Sequence, residues 1–527
     1  MTKIRAWFSL IAAVWVLMRE GVITALPEEG APPAVMTAKR IAKLIERRRP
    51  PGTTQSKKLG DALGRLGPSW VKLGQFLATR PDIVGKSIAH DLELLQDRMA
   101  AFPMADAKAA IRATLGKPVD MMFTSFGDPV AAASIAQVHR ATTREKDGTE
   151  RKAAVKVIRP GVRERFAWDL QTFYTAARFI DRWFPAARRL MLIQSVDMLA
   201  ESARLEMELR LEAAAFSEMS ENTKDDPGFR LPQIDWQRTG RDCVTMEWVD
   251  GIKLNNHAAL VESGHDLKAV ADTLIQSFLR HAIRDGFFHA DMHPGNLFLD
   301  DDGMIVAVDL GIAGRLGKPE RRFLAEILYG FIRKDYRRVA EVHFEAGYVP
   351  GDKDVESFAQ ALRAVGEPIY GAMAEDIEMG GLLALLFDIT EVFEMRTQPQ
   401  LLLLQKTMVV VEGVARRLNP DFNMWQAAKP VVIPQATRLI GPIGRIDEGL
   451  EGVKAFGQLA RQAPELVKRA ERLSVAVDGM ARDGLHLDDD TVARLAKAQR
   501  REKRWDRVAL WVVAASVAIY VSTLTVF

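Results

Sequence analysis

The sequence predicts an α+β fold built as two lobes, a small sheet-bearing one followed by a mainly helical one. Three observations predict it. Short β-prone runs gather within residues 126–158 and again within 229–249, separated by a helical stretch at 163–221. From Asp266 onward helical spacing dominates. That helical half is interrupted once, by "LFLDDDGMIVAV" (297–308), two apolar runs joined by turn chemistry that read as a β-hairpin.

The elements follow in order. Residues 1–55 hold "AWFSLIAAVWVLM" (6–18), which is too short to span a bilayer comfortably and is followed by no small-x-small cleavage site. It reads as an amphipathic or packed helix at the membrane surface, leading into a Pro-rich linker. Residues 56–125 form a helical extension that includes "LGPSWVKLGQFLATRPDIV" (66–84). Residues 126–250 form the sheet-bearing lobe, where "LEMELRLEAA" (205–214) belongs to one long helix and strands follow around "RLPQIDW" and "CVTMEWVDG". Residues 251–420 form the helical lobe. A break from Pro420 to Pro434 opens a helical extension over 421–507. Residues 508–527 carry no charge, and twenty helical residues span about 30 Å, the thickness of a bilayer core. This segment reads as a transmembrane anchor, with a buried C-terminal helix as the alternative. The basic run 494–507 before it places the body on the cytoplasmic face of the inner membrane.

Composition bounds the function classes. The chain of 527 residues has room for two to four domains, and 48% hydrophobic with 27% charged residues is an ordinary folded composition. A net charge of +3 gives no argument for a nucleic-acid partner, and none is expected. The basic runs "KRIAKLIERRRP" (39–50) and "RLAKAQRREKRWDR" (494–507) are solvated helix faces or contacts with anionic headgroups. The single cysteine, Cys243, excludes a disulfide framework and a cysteine-rich metal site, and points to a reducing compartment.

The chemistry concentrates in "FFHADMHPGNLFLDDDGMIVAVDLG" (287–311). The hairpin returns Asp309 toward Asp291 and Asn296, while Asp300, Asp301 and Asp302 are expected to be solvated turn acids. An Asp beside an acceptor orients or deprotonates it, and hard oxygens from Asn296 and Asp309 suit Mg²⁺. The spacing from Asp291 to Asn296 to Asp309, with Gly311 behind it, matches the catalytic and magnesium loops of protein kinases. Lys156, on the apolar strand "AAVKVI", gains weight from Glu206, Glu208 and Glu212 downstream. On a single helix Glu208 and Glu212 share a face, and Glu206 points about 160° away. His289 and His293 flank Asp291 but make an incomplete zinc set; His289 is expected to brace the loop. The layout is that of a bilobal kinase-type fold, with a nucleotide between the lobes.

"HADMHPGN" with "VDLG" resembles the core of atypical kinase-like proteins, the aminoglycoside-phosphotransferase type included. "KLGQ" (72–75), "AAASIAQVHRA" (131–141), "AVKVIRP" (154–160) and "LEMELRLEAA" narrow the match. Together they closely resemble the UbiB family of kinase-like ATPases required for ubiquinone biosynthesis. The resemblance implies ATP or ADP with Mg²⁺ as cofactors. It makes Lys156 a phosphate contact with Glu212 as its helix partner, Asp291 the catalytic Asp, and Asn296 and Asp309 the metal ligands. The loop Val130, Ala131, Ala132, Ala133, Ser134, Ile135, Ala136, Gln137, Val138 would cover the nucleotide where ordinary kinases have glycines, so amides approach phosphate less freely. Backbone groups near Glu247 and Val249 would meet adenine. Lys72, with Gln75 behind it, would reach into the site and meet an acid pair, here Glu206 and Glu208, although Glu208 stands where the family has Asp.

Three readings follow: an ATPase or small-molecule phosphotransferase in lipid-quinone metabolism, a protein kinase, and a nucleotide-binding pseudokinase scaffold. About seven residues (312–318) lie between "VDLG" and a helix expected near Pro319, with no Ala-Pro-Glu-like anchor, which disfavours the protein kinase. Expected partners are membrane lipids, lipid-like quinone precursors and other ubiquinone-biosynthesis enzymes.

Overall fold

The computed structural model describes residues 2–24, 53–78, 80–93, 99–145, 147–184, 190–371 and 399–440, with short stretches at 39–40, 42–47, 188, 389 and 392–395. The chain divides into two compact units, Met1–Gly441 and Pro442–Phe527, and every described residue belongs to the first. The helices expected over 447–505 and the apolar segment 508–527 lie outside the described residues. Among the described residues no helix is long and apolar enough to cross a membrane.

Helical spacing at the start produces α1 (Thr2–Arg19), α2 (Gln55–Leu66), α3 (Pro68–Ala78) and α4 (Met104–Leu115). The first sheet follows as β1 (Ser125–Ala132), β2 (Ala136–Arg144) and β3 (Glu150–Ile158). Alternation along β3 decides what faces where: Ala153, Val155 and Val157 are buried, and Lys156 points to the opposite side. Val155 and Val157 pack with Ile111 of α4, Phe102 and Cys243, so the helical extension covers the back of this sheet. Burial pushes the Cys243 thiol up to about 12, which leaves it a small apolar filler.

The long excursion begins with α5 (Val162–Trp183), whose Phe173 packs edge-on against Trp70 of α3 at 4.8 Å. The remainder corrects the expected single helix, because it is two: α6 (Leu192–Glu206) and α7 (Leu209–Thr223). Three contacts explain the break. Arg163 donates to Met207 O, the Leu209 N–H donates to Arg241 O at 3.1 Å, and Arg210 draws Glu208 outward with bonds of 2.6 and 2.9 Å. The α1 helix lies against α5, with the Trp7 ring edge-on to Phe179 at 5.5 Å and Arg5 over Trp168 at 5.4 Å. That outcome favours packing on the body.

The strand expected around "RLPQIDW" is reduced to β4 (Phe229–Arg230), which ends ahead of Pro232, and an isolated antiparallel bridge of Ile234 to Met246, since Pro232 has no N–H to give a ladder. The β4 strand does not join the first sheet, whose order is β1-β2-β3-β5 with β5 (Cys243–Glu247). It pairs instead, in parallel, within a second sheet of order β4-β9-β8-β6. There β6 (Ile252–Lys253), β8 (Leu297–Leu299) and β9 (Ile305–Ala307) form the antiparallel part, and β8–β9 is the expected hairpin, Leu297 facing Ala307. A ribbon of β7 (Phe287–His289) and β10 (Ala313–Arg315) flanks it.

The helical lobe is anchored by α8 (Leu267–Arg280), which the Asp266 side chain caps by accepting from the Lys268 and Ala269 amides at 3.0 and 3.2 Å. A π-turn, His281–Asp285, and left-handed Gly286 (φ 68°) then lead into β7; a Cβ at Gly286 would meet Leu316 O at 2.5 Å. The Arg284 guanidinium ties this turn to the far end of α7, bonding Asp226 at 2.6 and 3.0 Å and Asn222 O at 2.8 Å. Burial raises the Asp226 carboxyl, but hydrogen bonds from His281 and Arg284 outweigh it and hold the group well below the usual carboxylate range. Beyond come α9 (Lys318–Arg333), α10 (Pro399–Leu418) and α11 (Met424–Ile440). The break expected at Pro420–Pro434 is present but confined to 419–423, because α11 runs through Pro430 and Pro434 with Trp425, Ala428, Val431, Val432 and Ala436 buried. Burial of that face outweighs two lost ladder bonds.

Asp226→Ala strips one of two carboxylate partners from the Arg284 guanidinium, which keeps its pair with Asp285 at 2.6 and 2.8 Å. Urea unfolding is expected to lose about 1–3 kcal/mol, and a loss below about 0.5 kcal/mol would show the brace to be incidental.

Candidate nucleotide site

Three segments meet at Lys156. The β3 alternation turns its ammonium away from the back of the sheet, where Nζ bonds Glu212 Oε1 of α7 at 2.7 Å and Asp309 Oδ2 at 3.5 Å. Glu212 is nearly buried, and Lys156 is 16% exposed. Burial alone would lower the lysine's pKa, but the charges of Asp309 and Glu212 outweigh it, so the ammonium is held firmly protonated. Burial raises the Glu212 carboxyl in spite of Lys156. Asp309 is pushed up by burial too, yet Lys156 and the Gly311 amide, donating to Oδ1 at 2.8 Å, bring it below its ordinary value.

The hairpin does what its sequence suggests. The Val308 N–H donates to Asn296 O at 3.0 Å, which sets Asn296 beside the residue preceding Asp309. Asn296 Nδ2 donates to Asp291 Oδ2 at 3.2 Å and to Asp291 O at 3.4 Å. Asp291 is exposed, and the Asp291 N–H donates to His289 Nδ1 at 3.3 Å. A nitrogen that accepts carries no proton, so the neutral His289 ring has its hydrogen on Nε2. Burial lowers the His289 pKa and keeps the ring neutral, in the bracing role expected of it. Asp300 does not fit the expectation of a solvated turn acid. It is buried, takes the Met304 amide at 2.8 Å, and is bound by Arg230 Nε at 2.8 Å.

Lys72 of α3 is paired with Glu206 at the last position of α6. Burial raises the Glu206 carboxyl against the pull of Lys72, and the charges of Asp309 and Lys156 both reach it. Glu208 is the correction to the expected acid pair. It bonds Arg210 and lies 3.8 Å from Arg241, so it faces away from Lys72. Gln75 is half-buried one turn further along α3. The alanine-rich stretch, residues 130–138, is the β1–β2 turn, closed by the Ala133 N–H donating to Ala136 O at 2.8 Å. Glu247 ends β5 and its N–H donates to Gln233 O at 2.8 Å, so that amide is not open to adenine; Val249, two residues on, is buried.

Sequence reasoning missed Arg159, which follows β3 and bonds Ala133 O at 3.2 Å, Ser134 O at 3.3 Å and Ala100 O at 2.9 Å. Its position in "KVIRP" was the available signal. It missed Thr407 as well, for which the local sequence holds no signal.

Among the described residues no three His, Cys, Asp or Glu side chains gather as a metal-ligand group. Magnesium asks less: one or two protein oxygens, the rest of its shell coming from phosphate and water. Asn296, whose amide nitrogen is turned to Asp291 and leaves its oxygen to accept, and Asp309 fit that donor set. Taken together, a cation over the phosphates, two hard oxygens and an exposed carboxylate are the parts that phosphoryl transfer needs.

Comparison with known proteins agrees with this geometry. Residues 94–343 match the family model described as the ABC1 atypical kinase-like domain, and residues 362–423 match the UbiB helical domain. A protein of Marinobacter nauticus named "Probable protein kinase UbiB" is 36% identical over 89% of this chain and 85% of its own length. Proteins of the same name from Azotobacter vinelandii and Cronobacter sakazakii are 38% and 37% identical, over 77% and 80% of this chain and 77% and 79% of theirs. A solved structure described as the complex of Rv3197 with erythromycin, from Mycobacterium tuberculosis, shares the fold at a TM-score of 0.50 and 23% identity, over 76% of this chain and 98% of that one. The chain therefore belongs to the UbiB family of ABC1 atypical kinase-like proteins.

Proposed function

We propose that the protein is a membrane-anchored atypical kinase or ATPase that uses Mg-ATP in support of ubiquinone biosynthesis. It acts on or extracts lipid quinone precursors, or sustains the enzyme complex that processes them. The observation that carries the reading is Lys156, fixed between Glu212 and Asp309 at the edge of a hairpin whose base presents Asn296 and Asp291. In this reading Lys156 binds nucleotide phosphates and Glu212 keeps its ammonium in place. Asn296 and Asp309 would hold magnesium, which supplies charge neutralisation at the phosphate oxygens when bound. Asp291 orients the acceptor and takes its proton, and the alanine-rich turn excludes water from above.

A small molecule or water as acceptor is favoured over a peptide by one feature. The segment after Gly311 goes directly into β10, paired with β7, and α9 begins at Lys318, so the length in which protein kinases hold a peptide-docking segment is missing. The membrane anchor is assigned to residues 508–527 on their lack of charge and length.

With the purified protein, Mg²⁺ and lipid vesicles, phosphate release is expected to fall by about two orders of magnitude or more in Asp291→Asn. Asp309→Asn is expected to remove turnover together with its dependence on Mg²⁺, and undiminished turnover there would defeat the metal assignment. Cells lacking the protein are expected to run short of ubiquinone, and normal quinone levels would reject the pathway assignment. Removing 508–527 is expected to release the protein from sedimenting membranes; continued sedimentation would place the anchor elsewhere.

A further inference from the structure

We propose that Thr407, on the helical-domain helix α10, is a positioning residue that sets the orientation of Asp291 through the backbone. The inference rests on reading Asp291 as the acceptor-facing carboxylate.

The peptide group joining Ala290 to Asp291 is held at both of its polar ends. Its N–H donates to His289 Nδ1 at 3.3 Å, and its C=O accepts from Thr407 Oγ1 at 3.0 Å, across 117 positions of sequence. On the near side, the Ala290 N–H donates to Ile312 O at 3.0 Å, in the segment that follows Asp309. Fixing a peptide plane fixes the N–Cα bond that follows it and leaves φ as the one backbone rotation that aims the next Cα–Cβ bond, which here carries the Asp291 carboxylate. A misplacement near 1 Å at a reacting group costs about a hundredfold in rate, so this plane matters to turnover.

Thr407 Oγ1 also lies 2.8 Å from Leu403 O, and a hydroxyl has a single proton to give. Leu403 O receives the amide of residue 407 in the helical ladder, whereas Ala290 O lies outside any helix. With Thr407 only 1% exposed and Ala290 buried beside it, water cannot replace the bond at Ala290 O. The proton therefore belongs to Ala290 O. The lobe behind α10 is anchored, since α10 packs along α8 and against β10. A helix outside the kinase-like core thus holds the loop that bears the reactive carboxylate.

The test uses the full-length protein as wild type, Thr407→Val and Thr407→Ser. Valine keeps the shape and loses the donor; serine keeps the donor and loses a methyl group. Hydrogen–deuterium exchange of the peptide covering 288–296 is expected to rise about tenfold in Thr407→Val, the weight of one buried hydrogen bond, with β2 and β3 unchanged. Thr407→Ser is expected to exchange as wild type does. Where Mg-ATP turnover is measured, Thr407→Val is expected to lower kcat about tenfold at constant KM for ATP, and Thr407→Ser to restore it. Unchanged exchange in Thr407→Val overturns the proposal, as does equal damage in both variants, which would mean packing rather than the hydroxyl. A wild-type protein without turnover would count against the proposed function alone, because the exchange measurements decide the role of Thr407 without it.

Discussion

One buried cation organises this molecule. Lys156 sits between two carboxylates from different lobes, at 2.7 Å from Glu212 and 3.5 Å from Asp309, and little of it reaches water. A charge there is tolerable only while its partners are in place, because removing one leaves the other uncompensated in a low-dielectric pocket. Three elements are therefore locked to one another: β3 must keep its register, α7 its rotation, and the hairpin its reach. The second carboxylate is the one shared with chemistry. Asp309 is 42% exposed where Glu212 is buried, so the pair divides into a fixed structural partner and an oxygen that stays open to a ligand.

The interruption at Met207 and Glu208 follows from the same constraint. On one continuous helix Glu206 and Glu212 are six residues and about 120° apart, so they would face different sides. Breaking the ladder resets the phase, so that Glu206 meets Lys72 and Glu212 meets Lys156. Glu208, left at the break, is taken up by Arg210 and Arg241 at the surface. The cost of the break is offset by donors from elsewhere in the fold, Arg163 to Met207 O and the Leu209 amide to Arg241 O.

What could be read in advance is what depends on short range. The hairpin at 297–307, the Lys156 strand and the Asp291–Asn296 loop declare themselves through alternation, turn residues and spacing, and each is placed as its local pattern indicates. The failures share a different cause. The helix through 205–214 has strong local propensity, and only Arg163 and Arg241, distant in sequence, break it. Asp300 looks like a turn acid until Arg230, seventy residues earlier, bonds it. Pro430 and Pro434 read as a stop until the buried face of α11 pays for them. In each case tertiary contact overrides a local preference.

The alanine-rich turn shows how far such long-range contacts reach. Four consecutive carbonyls of the alanine-rich turn are engaged by the protein itself: Ala132 by the Met99 amide, Ala133 and Ser134 by the Arg159 guanidinium, and Ile135 by the Arg159 amide. The same guanidinium reaches Ala100 O and lies over the Phe102 ring at 5.2 Å, and Gln137 exchanges bonds with the Phe102 backbone at 2.9 and 3.3 Å. A glycine-rich turn without these ties would owe its adaptability to free backbone rotation. Here both the Cβ atoms and the carbonyl bonds restrict rotation, and the restraint comes from Arg159, itself held by Ala100 O and Phe102, and from the Met99 amide. The turn is therefore held from two sides, by Arg159 after β3 and by residues 99–102 ahead of α4; in the proposed reading, adjustment to bound nucleotide falls to the hairpin side of the cleft.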